Sequence, residues 1–139
     1  MDTAPAMTPP TVDSGIHIAG AGVDAVDVKR FRAVLSRHPE LSRRLFTDEE
    51  LAYANRAGDP AQRLAARFAA KEAVAKAMGT GIWKLHFANV EVTCRPGHAP
   101  TVALHGNAQY IARTLGVKGW RLSITHTDLV AVAFALAVS

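Results

Sequence analysis

FAAKEAVAKAMGTG, residues 68–81 of this 139-residue chain, predicts the end of a helix that runs into a glycine-rich turn. It is rich in alanine, the strongest helix former, and it ends in glycines that cannot continue a helix. The pattern extends upstream to Asp59, which is the predicted N-cap, and to Pro60, which occupies the first helical position. The sequence therefore predicts a long helix that begins at Pro60 and is ended by Gly79.

A stripe along this helix changes from apolar to charged. Residues four apart lie on one face of a helix, and this spacing connects Leu64, Phe68, Glu72 and Lys76. A glutamate followed by a lysine four residues later is also a common surface stabiliser, worth about 0.2–0.5 kcal/mol. On this helix alone, a surface pair and a functional pair are equally good interpretations.

The chain before this helix contains one predicted strand and two predicted helices. IHIAGAGVD, residues 16–24, alternates like a strand that enters a glycine turn, which would place Asp24 just past the strand. Apolar residues at helical spacing predict a first helix over residues 27–37. A capping box in TDEE begins a second helix over residues 47–58.

The chain after this helix is rich in predicted strands. NVEVTC, residues 89–94, and TVALH, residues 101–105, alternate like two paired strands, and NAQYIARTLG, residues 107–116, predicts a short amphipathic helix. WRLSITH, residues 120–126, and LVAVAFALAV, residues 129–138, predict a hairpin whose last strand is buried on both faces. The order of elements predicts the α+β class: a single domain with helices packed on an antiparallel sheet.

The composition is that of an ordinary globular protein, with 49% hydrophobic and 20% charged residues. Cys94 is the single cysteine and suits a reducing cytosol, so we expect a cytoplasmic protein. No apolar run reaches the length of about 18 residues that spans a membrane. Residues 1–15 lack the basic and apolar regions of a secretory signal, and we expect them to be a disordered lead-in to one domain over residues 16–139.

A second carboxylate favours a metal site. Magnesium is often held by one or two carboxylates together with substrate phosphates, and Asp24 and Glu72 suit that role if the fold brings them together. Lys76 lies one helical turn beyond Glu72 and could meet a phosphate as a point charge. The GTG at residues 79–81 would offer backbone N–H groups to the same phosphate. The sequence contains neither a P-loop nor a complete dinucleotide-binding fingerprint.

Basic residues cluster early in the chain, whose formal net charge is +4. The cluster consists of Lys29, Arg30, Arg32, Arg37, Arg43 and Arg44, and only Glu40 opposes it. Such a cluster is typical of a surface that binds an acidic partner. A solvated face without a partner is an equally good interpretation of the charge alone.

Three blocks, taken together, resemble a known family. GAGVDAVDVKRF (20–31), RFAAKEAVAKAMGTGI (67–82) and LSITHTDLVAVAFAL (122–136) occur in the order and with the spacing of the holo-(acyl carrier protein) synthases. These are the short, bacterial-type 4′-phosphopantetheinyl transferases. The resemblance covers about residues 16–138.

The resemblance implies a reaction and the residues that perform it. The enzyme would transfer the phosphopantetheine arm of coenzyme A to a serine of apo acyl carrier protein, for fatty acid biosynthesis, and release adenosine 3′,5′-bisphosphate. Asp24 and Glu72 match the magnesium ligands, Lys76 matches a phosphate-binding catalytic lysine, and Glu72 is the first candidate to accept the serine proton. The positions that match the coenzyme A site are Arg67, Lys76, Gly79, Thr80, Gly81, Ser123, Thr125 and His126.

The resemblance also implies partners. Arg30 matches a carrier-docking arginine, and the strongly acidic carrier would be steered by Lys29, Arg30, Arg37, Arg43 and Arg44. A homotrimer with sites at the subunit boundaries is expected, and the apolar last strand is compatible with it, although burial within one subunit would also explain that strand. We hypothesise that Asp24 and Glu72 of one chain act together with Arg30 of the next.

Two other classes of function stay open at this point. A nucleic-acid-binding module could use the same basic cluster, but aromatic residues make up only 6% of the chain. Phe31 and Phe46, the aromatics inside the cluster, occupy positions expected to be buried, so they are poor stacking platforms. A magnesium-dependent phosphohydrolase is the other alternative. His126 also has a structural interpretation, as a hydrogen-bonded histidine at a hairpin.

Overall fold

The computed structural model describes residue 15, residues 17–81 and residues 84–139. The predicted lead-in therefore lies almost wholly outside the described residues. The elements, in chain order, are β1 (Ile18–Asp27), α1 (Val28–Arg37), α2 (Leu41–Leu45), α3 (Asp48–Asn55), α4 (Pro60–Ala77), a 3-10 turn (Phe87–Asn89), β2 (Val90–Thr93), β3 (Thr101–Leu104), α5 (Gly106–Thr114), β4 (Gly119–His126) and β5 (Val130–Val138).

Two antiparallel sheets confirm the predicted α+β class. The larger sheet has the order β1-β5-β4, and the smaller one pairs β2 with β3. The predicted hairpin forms, and its second strand β5 lies at the centre of the larger sheet, between β4 and the first strand of the chain. Among the described residues, no helix is both long and apolar enough to cross a membrane.

Helix α4 packs across the larger sheet at very short range. Small side chains make this contact, including Ala69 and Ala73 on the helix and Ala133 and Ala135 on β5, all fully buried. Because the helix carries so little bulk on this face, its backbone can approach the sheet closely.

The prediction of a glycine turn before Asp24 is wrong, because Gly20 and Gly22 lie inside β1. A Cβ atom at Gly20 would lie 1.9 Å from the carbonyl oxygen of Ala77, and one at Gly22 would lie 1.9 Å from that of Ala73. These glycines therefore allow the backbones of β1 and α4 to touch. The sequence pattern shows the glycines but not this purpose.

The prediction that the last strand is buried on both faces is also wrong. One face of β5 is covered by α4 and carries buried alanines, whereas on the other face the Phe134 side chain is 43% exposed. Val23, its register partner on β1, is 55% exposed. Within the described residues, the second apolar face of the sheet is therefore only partly covered.

The helix ends follow local signals with two differences. Thr47 and Glu50 form the predicted capping box, but α3 ends at Asn55 rather than near residue 58. Asp59 stands at the N-cap position of α4 without capping it, because its carboxylate pairs instead with Arg32 of α1. This ion pair holds α1 against the start of α4.

A buried ion pair, not predicted from the sequence, fixes α4 against α3 and the smaller sheet. The Lys71 ammonium lies 2.7 Å from Glu50 Oε1 and donates to the carbonyl oxygens of Phe87 and Val90. Glu50 Oε2 accepts from the N–H of Val92 at 3.0 Å. Both side chains are almost fully buried, and burial lowers the pKa of Lys71 more than Glu50 raises it. Every donor of the ammonium is satisfied, as a buried charge requires.

Candidate active site

Asp24, Glu72 and Lys76 meet where β1 crosses α4. Successive side chains of a strand point to opposite faces, so Asp24 points the same way as Gly20 and Gly22, toward the helix. The structure places Asp24 inside β1 rather than past the end of the strand. Lys76 Nζ lies 3.1 Å from Asp24 Oδ1 and donates to the carbonyl oxygen of Val23 at 3.0 Å.

The electrostatics of this cluster favour a cation. The pKa of Glu72 is raised to about 7, first by burial and then by the nearby Asp24 carboxylate, while Lys76 opposes the shift. One ammonium group therefore does not neutralise the two carboxylates. A divalent cation would supply the missing positive charge.

The donor set suits magnesium rather than a zinc-type centre. The described part of the chain contains no group of three or more histidine, cysteine, aspartate or glutamate side chains that could hold a metal. Two carboxylates alone leave most coordination positions to water and to substrate oxygens, which is how magnesium is commonly bound. Asp24 and Glu72 are the residues that could hold it.

A cleft of about 820 Å³ opens from this carboxylate pair. It runs between α1, α2 and α4, and Arg30 and Arg44 line it together with Asp24, Glu72 and Lys76. Apolar side chains form much of its wall, namely Phe31, Val34, Leu35, Leu41, Leu45, Phe68, Leu85 and Phe87. His86 also lines the cleft and was missed by sequence reasoning, because a single histidine in a loop has no recognisable pattern.

Arg30 lies at the cleft of its own chain. Asp27 caps α1 by accepting from the N–H of Arg30 at 2.8 Å, so the helix starts directly after the strand that carries Asp24. Arg30 and the carboxylate pair therefore line one cleft of one chain. The hypothesis that Asp24 and Glu72 act with Arg30 of the next chain stays a prediction, and the short connection between β1 and α1 places each chain's own Arg30 at its own cleft as well.

Arg67 and His126 do not line the cleft that contains the carboxylate pair. They line a second cavity of about 500 Å³, together with Tyr53 and Arg63. This cavity shares no lining residue with the cleft. Positions 67 and 72 face different sides of α4, since a helix turns by about 100° per residue. The residues expected at a single coenzyme site are thus divided between two cavities of the chain.

Ser123 and Thr125 do not join His126. Side chains alternate along β4, so Ser123 and Thr125 are exposed on the outer face of the sheet, whereas His126 lies on the other side. Ser123 lines a small cavity beside Phe134. One chain therefore does not bring these three residues into one pocket.

The glycine-containing turn mainly ends the helix. Gly79 has φ of +67°, its N–H donates to Lys76 O, and the N–H of Thr80 donates to Ala75 O, which together form a Schellman cap. The N–H groups of Gly79 and Thr80 are therefore engaged by the helix end, contrary to the expectation that they would bind a phosphate. Gly81 stays a candidate.

The basic surface forms as expected on α1 and α2. Its residues Lys29, Arg30, Arg37, Arg43 and Arg44 are exposed, and none pairs with a carboxylate in the described part of the chain. Phe31 and Phe46 are buried, as predicted, and contact each other edge to face. They therefore offer no surface for stacking bases.

Comparisons with known proteins identify one family. Residues 20–133 match the family model of the 4′-phosphopantetheinyl transferase superfamily. The chain is 42% identical over 119 residues to a holo-[acyl-carrier-protein] synthase of Moorella thermoacetica, covering 86% of this chain and 93% of that protein.

Solved structures show the same architecture. A holo-ACP-synthase from Plasmodium yoelii superposes with a TM-score of 0.80 at 30% identity, covering 91% of this chain and 98% of that one. A Helicobacter pylori holo-[acyl-carrier-protein] synthase in complex with coenzyme A superposes with a TM-score of 0.73 at 26% identity. The superposition covers 86% of this chain and 99% of that one.

Proposed function

Because the chain belongs to the 4′-phosphopantetheinyl transferase superfamily, we propose that it transfers the 4′-phosphopantetheine group of coenzyme A to a serine of apo acyl carrier protein. The products are holo carrier protein and adenosine 3′,5′-bisphosphate, and the setting is fatty acid biosynthesis in the cytoplasm. The observation that carries the proposal is the Asp24, Glu72 and Lys76 cluster at the end of a large, partly apolar cleft.

The cluster accounts for the chemistry of the transfer. The serine oxygen forms a bond to the β-phosphorus, and the bond from that phosphorus to the oxygen of adenosine 3′,5′-bisphosphate breaks. Asp24 and Glu72 would hold magnesium, which when bound neutralises the pyrophosphate charge that repels the attacking oxygen. Lys76 binds a phosphate oxygen as a point charge.

Glu72 is the candidate to accept the serine proton. In the metal-free protein, burial and the Asp24 carboxylate raise the pKa of Glu72 to about 7, so this carboxylate takes up a proton more readily than an ordinary glutamate. Its carboxylate also faces the cleft into which the serine must enter. No covalent intermediate with the enzyme is required.

The exposed cations of α1 and α2 suit an acidic carrier. Arg30 and Arg44 stand at the cleft itself, and Lys29, Arg37 and Arg43 extend the positive surface around it. Such a surface raises the rate of encounter with a negatively charged protein and fixes its orientation. The carrier serine would then be delivered to the carboxylate pair of the same chain.

A homotrimer would unite the two cavities. The exposed Phe134 and Val23 on the outer face of the sheet supply an apolar surface that another copy could cover. In a closed ring each interface joins two different surfaces. We propose that in such a ring the cleft of one chain faces the Arg67 and His126 cavity of its neighbour, so that coenzyme A spans both cavities.

Complementation tests the shared site. Asp24→Ala and Arg67→Gln are each expected to be inactive, and their co-expression in equal amounts should restore about a quarter of wild-type activity, because each interface needs two independent correct choices. Co-expression of Asp24→Ala with Glu72→Gln is the matched control and should restore nothing, since both residues act in one chain. Mixed trimers of the first pair that stay inactive would contradict the shared site.

A mass measurement tests the reaction. Incubation with apo carrier protein, coenzyme A and magnesium should increase the carrier mass by one phosphopantetheine group, and omission of either small molecule should abolish the increase. A phosphohydrolase would consume coenzyme A without modifying the carrier. A nucleic-acid-binding module would neither consume coenzyme A nor modify the carrier. An unmodified carrier would refute the proposal.

A further inference from the structure

Two arginines share one aromatic ring at the mouth of the second cavity. The guanidinium of Arg63 lies 4.4 Å from the ring centroid of Tyr53, and that of Arg67 lies 4.1 Å from it. Arg63 Nη1 also donates to the carbonyl oxygen of Tyr53 at 2.9 Å. Both guanidinium groups, from successive turns of α4, therefore contact the same aromatic ring.

Carboxylates near this charge do not pair with it: Glu49, Glu50 and Glu91 line a neighbouring cavity with Arg67, but Glu50 pairs with Lys71 and Glu91 with His105 in the described residues. Neither Arg63 nor Arg67 forms an ion pair there, and Asp59, the acidic residue that lines this cavity, is held by Arg32. Arg67 is 4% exposed, and its buried Nε has no hydrogen-bond partner among the described atoms. Two adjacent cations with an unsatisfied buried donor indicate a binding site for an anion.

If the proposed function holds, the anion that binds in the second cavity is one of the phosphate groups of coenzyme A. Its negative charge is carried in two places: the pyrophosphate, which must reach the carboxylate pair for transfer, and the 3′-phosphate on the ribose. The second cavity contains no such pair and shares no residue with the cleft. A phosphate monoester, which is largely dianionic at pH 7, suits two guanidinium groups.

We propose that Arg63 is a specificity-determining residue that binds the 3′-phosphate of coenzyme A beside Arg67, and that Tyr53 is the positioning residue for both arginines. The inference rests on the proposed function and adds Arg63 and Tyr53 to the residues of the coenzyme A site. Its consequence is that the enzyme distinguishes coenzyme A from 3′-dephospho-coenzyme A through Arg63.

The test compares these two substrates in Arg63→Gln. The expected result is a rise of about tenfold or more in the KM for coenzyme A, because a hydrogen bond between charged groups is lost. The KM for 3′-dephospho-coenzyme A and the kcat for both should change little. Arg56→Gln removes the same charge from an exposed arginine that does not line this cavity, and it should leave the preference intact.

Two variants of Tyr53 test its positioning role. Tyr53→Phe keeps the ring and should retain the preference for coenzyme A, whereas Tyr53→Leu removes the stacking surface and should reduce it. A purely structural role would lower stability without changing the ratio of the two KM values.

Different outcomes refute different statements. An equal rise in both KM values in Arg63→Gln would show that Arg63 does not bind the 3′-phosphate, while the proposed reaction would stand. Wild-type protein that transfers from neither substrate would refute the proposed function and this inference together.

Discussion

Glu72→Gln is expected to reduce phosphopantetheine transfer at least about a hundredfold while leaving the fold intact. The change removes both a charged magnesium ligand and the candidate proton acceptor, and loss of such a group typically costs 10²-fold or more. Glutamine has nearly the same size, and Glu72 makes no ion pair in the described structure that the variant would break. Steady-state transfer rates at several magnesium concentrations measure the effect.

The same substitution should not destabilise the metal-free protein. The folded pKa of Glu72, about 7, lies above its ordinary value of 4.5, so the folded state binds the proton more tightly than the unfolded state. The wild type is therefore expected to lose stability as pH rises from about 4.5 through 7, and this loss should be absent from Glu72→Gln. Thermal unfolding of both proteins in the presence of a chelator at pH 5 and pH 8 measures whether stability falls as pH rises.

A matched variant separates the site from general charge effects. Glu49→Gln makes the same change at an exposed position of α3 that does not line the cleft, and it should transfer at the wild-type rate. Near-normal activity of Glu72→Gln at limiting magnesium would show that Glu72 is not a ligand.

Gly22→Ala is expected to destabilise the fold by at least about 3 kcal/mol, because overpacking against a backbone that cannot relax is among the most costly core changes. The new Cβ would lie 1.9 Å from the carbonyl oxygen of Ala73 and 2.8 Å from the nitrogen of Ala77. Both atoms belong to the backbone of α4, so the helix itself would have to move. Moving it would also separate Glu72 and Lys76 from Asp24.

Chemical denaturation of Gly22→Ala and Gly58→Ala tests the close contact. A Cβ at Gly58 would meet nothing within 4 Å, and Gly58 does not have positive φ, so this control should be neutral or slightly stabilising. An unchanged unfolding midpoint for Gly22→Ala would mean that β1 and α4 do not touch as described.

Some parts of the fold could be predicted because their signals are local. The capping box of Thr47, the proline at the start of α4 and the Schellman glycine at its end involve contacts within a few residues. The alternation of apolar and polar residues, which is also a local signal, identified the strands of both hairpins. The three family blocks placed Asp24, Glu72 and Lys76, and the fold brings these three together.

Side-chain periodicity and helix caps identify the elements because they act over one or two turns, and the three sequence blocks identify the family. Which residues share a cavity depends instead on how the elements pack. Arg30 joins the carboxylate pair, whereas Arg67 and His126 lie apart from it, because that choice depends on which face of α4 each side chain occupies. The close crossing at Gly22 and the contacts of two arginines with the ring of Tyr53 follow from packing between segments distant in sequence, which no local pattern records.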